Sequence, residues 1–268
     1  MRYVCIRANN AGPLTGTGTN TWLIFGAQPT LIDAADIREE YVQRIADALE
    51  AEQPGASLAR VLVTHAHSDH IGGVEAIRRR WPEVTFAKMP DPQRDQRYEV
   101  PWTPVNDDEL LKAGDGVLEA IHTPGHAPDH LCFFEPRTST LFCGDLLING
   151  GTVTIPVSTG GDLTRYLKSL RRVAAMQPRR ALAGHGDPIE NPGALIRAYL
   201  GHRQLREQQI LDVLGNGAAT INEIVGRVYQ GLPSTLDKAA AENVLAHLLK
   251  LRDEGRATHD DDESRWRL

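Results

Sequence analysis

The sequence predicts an α/β fold with mixed sheets over residues 1–192, followed by a small helical module with a terminal hairpin over residues 193–268. Three observations carry that prediction. Short β-branched and aromatic runs alternate with amphipathic helical patterns as far as Asn191-Pro192-Gly193, the rhythm of a sheet built with helical crossovers. Beyond that point β character gives way to helical periodicity. Residues able to bind metal stand directly after several of the apolar runs, where α/β folds place their sites.

In chain order, the predicted strands are Asn20–Phe25, Thr30–Asp33, Arg60–Thr64, Val84–Ala87, Val117–His122, His130–Glu135, Thr140–Cys143 and Ala181–Ala183, punctuated by Gly, Pro and Asp. Helices are predicted over Ile37–Gln53, Gly72–Trp81 and Leu163–Met176. In the last, Leu163, Tyr166, Leu167, Leu170 and Val173 recur at helical spacing. Lys88–Trp102 is Pro-rich and polar and reads as a long loop. In the tail, Ile221, Ile224, Val225 and Val228 form a short stripe. Ala241, Val244, Leu245, Leu248 and Leu249 form a longer one, which Gly255 ends. Ala257–Leu268 reads as two strands around an acidic turn, so three helices and a hairpin suggest a winged-helix-like module.

Composition excludes several classes. Hydrophobic residues at 41% and charged residues at 24% argue against a disordered or fibrous chain, and 268 residues can bury a real core. No apolar run reaches 18 residues, so no membrane span is predicted, and the first dozen residues lack the apolar stretch of a signal peptide. The expected compartment is cytoplasmic. Cys5, Cys132 and Cys143 cannot all pair, and the last two lie in apolar runs that suit core thiols. A net charge of −6 supplies no broad basic face for duplex nucleic acid.

The chemistry is concentrated in RVLVTHAHSDHIGG, which ends an apolar strand and then delivers His65, His67, Asp69 and His70. In an extended stretch His65 and His67 project to the same side, and Asp69 and His70, at the turn into a helix, address a point a few ångströms away. Two adjacent metal ions are implied, since imidazole and carboxylate suit zinc, manganese or iron and their density here exceeds what packing needs. HTPGH adds His126 on a Pro-Gly turn, FCGD adds Asp145 and AGHG adds His185.

This set resembles the metallo-β-lactamase superfamily, whose pattern is HxHxDH followed by H, D and H in that chain order. The resemblance implies a four-layer αβ/βα sandwich over residues 1–192 with the metals at one edge. By it, His65, His67 and His126 hold one ion, Asp69, His70 and His185 hold the other, and Asp145 bridges both. NNAGPLTGTGTNTWLI, GHRQLREQQIL and the winged-helix-like end look more particularly like the lactamase-B-like endoribonuclease family and its bacterial relatives. The eukaryotic member of that family cuts single-stranded RNA. One departure falls in a loop: NNAGP stands where the family commonly has NPGP.

Two divalent ions would let a bridging water lose its proton near neutral pH and act as the nucleophile, so no Ser or Cys nucleophile is required. Asp145 would hold the ions and Asp69 would orient the hydroxide, which makes these two the catalytic carboxylates. Zn2+ is the expected ion, with Mn2+ or Fe2+ as alternatives. The same chemistry serves thioesters, esters, lactones and phosphodiesters. The expected function is therefore a binuclear hydrolase of the endoribonuclease-like type, acting on single-stranded RNA or a small acyl compound, with a homo-oligomer left open. No separate helical substrate domain of the glyoxalase-II kind is present, and no Cys ligand of the common antibiotic-degrading zinc lactamases.

Other residues take plainer readings. His122 suits support of the Pro-Gly turn, and His130 either lines the pocket or opens the next strand. His202, His247 and His259 suit solvated or packing roles. Arg78, Arg79 and Arg80 suit a helix C-terminus better than an RNA phosphate patch. Residues 191–268 carry 10 Lys plus Arg and 11 Asp plus Glu, the helix predicted over Thr235–Glu254 mixes both signs, and the wing is acidic. The module is therefore expected to dock on residues 1–192 and roof the pocket. A nucleic-acid-binding regulator with structural metals, and a mononuclear iron oxidoreductase, are the weaker alternatives, and duplex DNA is not an expected partner.

Overall fold

The computed structural model describes residues 1–35, 38–260 and 264–268. One sheet has six strands in the order β1 (Arg2–Arg7), β2 (Asn20–Phe25), β3 (Thr30–Ile32), β4 (Arg60–Leu62), β5 (Thr85–Lys88) and β6 (Trp102–Pro104). The other has five, in sequence β7 (Leu110–Ala113), β8 (Gly116–His122), β9 (Leu131–Glu135), β10 (Thr140–Gly144) and β11 (Arg180–Ala183), which lie side by side in that order. β3 to β6 are mutually parallel, as are β10 and β11. Parallel neighbours need crossovers. These are α1 (Glu39–Glu52), then α2 (Ser68–Ile71) with α3 (Val74–Arg80), then a segment holding α4 (Pro92–Asp95), and, for β10 to β11, α5 (Leu163–Met176).

The layers follow from alternation along the strands. In β2, Trp22 and Ile24 enter the core between the sheets with Phe133, Phe142 and Leu182, while Leu23 and Phe25 face the other way. There they meet Tyr41, Ile45 and Leu49 of α1 and Ile77 of α3. On the far face of the second sheet, Cys132, Leu141 and Ala181 pack on Leu163, Tyr166, Leu170 and Val173 of α5. Burying each such aliphatic side chain contributes roughly 1.5–3 kcal/mol. The result is the helix, sheet, sheet, helix sandwich that the motif resemblance implied.

After β11 come α6 (Pro192–Gly215), α7 (Ile221–Val228), α8 (Asp237–Asp253) and the hairpin β12 (Thr258–Asp260) with β13 (Arg265–Arg267). Ile196 and Tyr199 of α6 join the α5 core, whereas Ile210, Val213 and Leu214 join a separate core with Ile224, Val244, Leu248 and Trp266. The Glu207 carboxylate on α6 accepts from Lys250 of α8 at 2.7 Å and from Arg256 at 3.1 Å.

Several elements differ from the sequence reading. The expected helix Gly72–Trp81 is two helices, α2 beginning earlier at Ser68 and α3 capped at Gly73. The expected loop Lys88–Trp102 begins and ends on strands and encloses α4, whose cap Asp91 accepts from the Arg94 N–H. It is organised by Lys88, whose buried ammonium pairs with Asp95 at 2.7 Å and Asp129 at 3.0 Å. The start of the first predicted helix, Ile37, and Asp261–Glu263 of the acidic wing lie outside the described residues.

Candidate metal centre

All seven predicted ligands converge at one edge of the sandwich. His65 and His67 follow β4, Asp69 and His70 lie on α2, His126 sits between β8 and β9, Asp145 follows β10 and His185 follows β11. Three groups bring ligand atoms within 4.8 Å of one another: His65, His67 and His126; His65, His70 and Asp145; and Asp69, His70 and His185. His185 Nε2 lies 3.2 Å from Asp69 Oδ2 and 3.5 Å from Asp145 Oδ2, and Asp145 Oδ2 lies 3.6 Å from His126 Nε2. Asp145 thus stands between the two outer groups.

The ring protons show that these atoms suit cations. His126 Nδ1 donates to the Thr154 carbonyl at 2.8 Å, so its Nε2 carries a lone pair. His65 Nδ1 donates to Thr64 Oγ1 at 3.0 Å, and that hydroxyl donates to Asp33 Oδ2 at 2.9 Å. Both Nε2 lone pairs then point at His67 Nδ1, each from 2.9 Å. A proton on His67 Nδ1 points along one direction only, whereas a cation held by bonds of about 2.0–2.1 Å would satisfy all three nitrogens. Among the described residues His70 Nε2 is buried without a hydrogen-bond partner, and it faces Asp145 Oδ1 at 3.4 Å and Asp69 Oδ2 at 3.6 Å, spacings that leave room for an ion.

Electrostatics divide the cluster. Burial holds His65, His67, His126 and His130 below the ordinary histidine range, His67 at about 3, and neighbouring imidazoles add to the effect. These rings are neutral at pH 7, which leaves His65, His67 and His126 with a lone pair to offer a cation. Burial opposes protonation of His70 and His185 too, but Asp145 and the other nearby carboxylates outweigh it, raising His70 well above its usual value and His185 to about 9. Burial likewise works against ionised Asp69, yet His70 and His185 hold it at about 2. A cation entering at Asp69, His70 and His185 therefore displaces protons.

The supporting residues were mostly not singled out from sequence. Asp33, at φ 64°, accepts from the Thr64 N–H at 2.7 Å and from His70 Nδ1 at 2.7 Å, and so fixes His70 directly and His65 through Thr64. Its position after an apolar strand, in LIDAAD, is the signal that could have found it. His130 is a positioning residue: Nδ1 donates to Thr123 Oγ1 at 2.8 Å and Nε2 accepts the Asp145 N–H at 3.0 Å. His122 Nε2 donates to the Pro128 carbonyl at 2.9 Å, bracing the turn that carries His126. The Gly18 carbonyl accepts from His185 Nδ1 at 3.4 Å, and Asn20 Nδ2 donates to the Ala183 and Gly186 carbonyls at 3.2 and 2.7 Å. The GTGTNTW segment is thereby a brace for the last ligand. In the departing loop, Asn10 Oδ1 accepts the Thr19 N–H at 2.8 Å.

The remaining residues keep to structure. Cys132 and Cys143 are fully buried free thiols, and burial pushes Cys132 up to about 12. His247 is buried in α8, and the His259 ring lies 4.6 Å from Trp266. Arg78 donates to the Glu99 carbonyl at 2.5 Å and Arg80 lies over Trp81.

A helix-flanked double sheet with a histidine and aspartate cluster at its edge defines a class of metal-binding α/β proteins. Within that class the chain belongs to the metallo-beta-lactamase superfamily, whose domain matches residues 14–185. Residues 220–266 match the beta-lactamase associated winged helix domain. The chain is 34% identical over 260 residues to a Beta-lactamase-like protein 2 homolog of Drosophila melanogaster, covering 92% of this chain and 86% of that protein. It is 31% identical over 251 residues to an Atrochrysone carboxyl ACP thioesterase of Aspergillus fumigatus, covering 87% and 75%. A metallo-beta-lactamase family protein from Thermus thermophilus shares the fold with a TM-score of 0.82 at 22% identity, covering 99% of this chain and 98% of that one. The chain is thus a hydrolase of this superfamily with a cluster able to hold divalent metal. Among the described residues no helix is long and apolar enough to cross a membrane.

Proposed function

We propose that the protein is a binuclear hydrolase that cleaves acyl thioesters or related esters. The observation that carries the two-metal reading is the pair of ligand groups His65, His67, His126 and Asp69, His70, His185, with Asp145 between them. His65, His67 and His126 would hold one ion, Asp69, His70 and His185 the other, and Asp145 would contact both. When bound, divalent ions such as Zn2+ supply a hydroxide nucleophile at neutral pH and stabilise charge on the substrate oxygen. Asp69, with 26% of its side chain exposed, offers a carboxylate oxygen that can accept a hydrogen bond from water and so orient its proton. Asp33, Thr64 and His130 keep the ligands oriented.

The thioester assignment draws on the ACP thioesterase relative and on the charge of −6, which gives little attraction for a polyanion. A groove of about 520 Å3 beside the His126 turn has a mixed lining, with Met89, Pro90, Pro92 and Pro128 beside Asp91, Arg94, His122 and Thr159, so it offers both apolar and polar contacts to a substrate. Three free cysteines fit a reducing, cytoplasmic setting. Single-stranded RNA is the competing substrate, and metal analysis followed by assay on acyl-pantetheine thioesters, lactones and labelled single-stranded RNA decides between them. The expected result is two ions per chain and thioester hydrolysis that Asp145→Ala abolishes and His122→Ala largely spares. One tight ion in fully loaded protein, or RNA cleavage without thioester hydrolysis, overturns the reading.

A further inference from the structure

The segment Val153–Ile155 has no regular structure, and among the described residues none of its backbone groups takes a backbone partner. Side chains hold it instead. The Thr154 carbonyl accepts from His126 Nδ1 at 2.8 Å. On one side of Thr154, the Val153 carbonyl accepts from Arg203 Nη2 of α6. On the other, the Ile155 N–H donates to Asn243 Oδ1 of α8 at 3.1 Å, and the same oxygen accepts from Arg203 Nη1 at 3.1 Å. Arg203 and Asn243 are both buried, and the Arg203 guanidinium lies over the Tyr166 ring rather than against a carboxylate. Such a guanidinium has been removed from water to make these contacts, so its hydrogen bonds are costly to leave unmade. Further along, the Ser158 N–H donates to Glu242 of α8 at 3.0 Å.

We infer that Arg203 and Asn243 are positioning residues for the metal centre: the C-terminal helices clamp the residues on either side of Thr154, and so fix the carbonyl that sets the tautomer and orientation of His126. The clamp rests on the two-metal reading above. It gives the winged-helix module a part in the site without any contact between that module and the ions. A hydrogen-bond partner of a ligating histidine typically governs metal affinity by about 10–100-fold. Because Val153 and Ile155 are also anchored by buried side chains, the lower end of that range is expected here.

The test is a cobalt(II) titration of the full, metal-free chain followed by visible absorption, with amide hydrogen exchange at Ile155 as a second readout. Asn243→Ala is expected to weaken one of two cobalt sites about tenfold, to shift that site's absorption bands, and to speed exchange at Ile155. Asn243→Asp keeps an oxygen for both donors and is expected to restore the wild-type spectrum. Should Asn243→Ala fail to fold, Arg203→Lys, which shortens the clamp but keeps its charge, is expected to produce the same selective shift. Wild-type affinity and bands in the alanine variant, or in Arg203→Lys where it stands in, overturn the clamp while leaving the two-metal reading in place. An Asn243→Asp chain as impaired as Asn243→Ala also overturns the clamp. A wild-type chain that takes up no cobalt overturns both.

Discussion

Asp33 reaches both halves of the cluster without being a ligand, since its Oδ2 accepts from His70 directly and from the Thr64 hydroxyl that supports His65. Asn in its place keeps the volume but removes the charge and turns one oxygen into a donor. Asp33→Asn is therefore expected to weaken zinc binding at both sites by about 10–100-fold, read by competition with a chromophoric chelator, with the far-ultraviolet circular dichroism unchanged. Gly184 answers to sterics. A Cβ there would stand 2.6 Å from His70 Cε1 and 2.7 Å from Asp145 Oδ1, and neither group can retreat from a packed site. Gly184→Ala is expected to lose the ion at Asp69, His70 and His185 and to keep the other, giving one zinc per chain by elemental analysis. Gly201, on α6 with nothing within 4 Å of its Cβ position, is the matched control. Gly201→Ala is expected to leave metal content alone and to raise Tm by about 2–4 °C, the effect of roughly 1 kcal/mol of helix propensity.

Among the elements, the join between α6 and α8 carries a pH dependence. His247, with Nδ1 at 3.8 Å, and Lys250, at 2.7 Å, hold the Glu207 carboxyl at about 2, below its ordinary 4.5. A depressed carboxyl stabilises the fold above its unfolded value and loses that contribution as pH falls from about 4.5 towards about 2. Glu207→Gln is thus expected to lower Tm by a few degrees at pH 7, the effect being limited by solvent screening, and by progressively less as pH falls through that window. Differential scanning calorimetry across pH 2–7 reads it. The elements that sequence makes legible are those whose apolar period is strong, such as β2, β10 and α5. β1, with exposed and half-buried residues alternating, and β6, which contains Pro104, are edge strands whose pattern is diluted by solvent. The seven clustered residues were legible because their residue types and spacing are rare. Asp33, Thr154, Arg203 and Asn243 were not, because each acts through a partner distant in sequence and looks ordinary beside its chain neighbours.

At the scale of the molecule, the winged-helix module docks on the sandwich through α6 and α8, but the apolar stripe of the tail is not what docks it: Val244, Leu245, Leu248 and Leu249 turn into the module's own core. Ala246 of α8 enters the α5 core, and Tyr199 Oη lies 2.9 Å from both the Ile148 and the Gly151 carbonyl oxygens, with one proton to give to either. A chain ending after Ala198 loses these groups and uncovers Leu170 and its neighbours, so it is expected to aggregate or to bind a hydrophobic dye, as size-exclusion chromatography and fluorescence would report. The helix α6 has 24 residues, a rod of roughly 36 Å planted at one end in the sandwich and at the other in the small module. Neither half is long enough to stay helical alone in water. Melting at one end therefore strips the other of its support, and heat should dissolve the whole chain in one calorimetric transition. A protease is accordingly expected to find no seam around residues 199–205, the two modules sharing a single fate rather than a hinge.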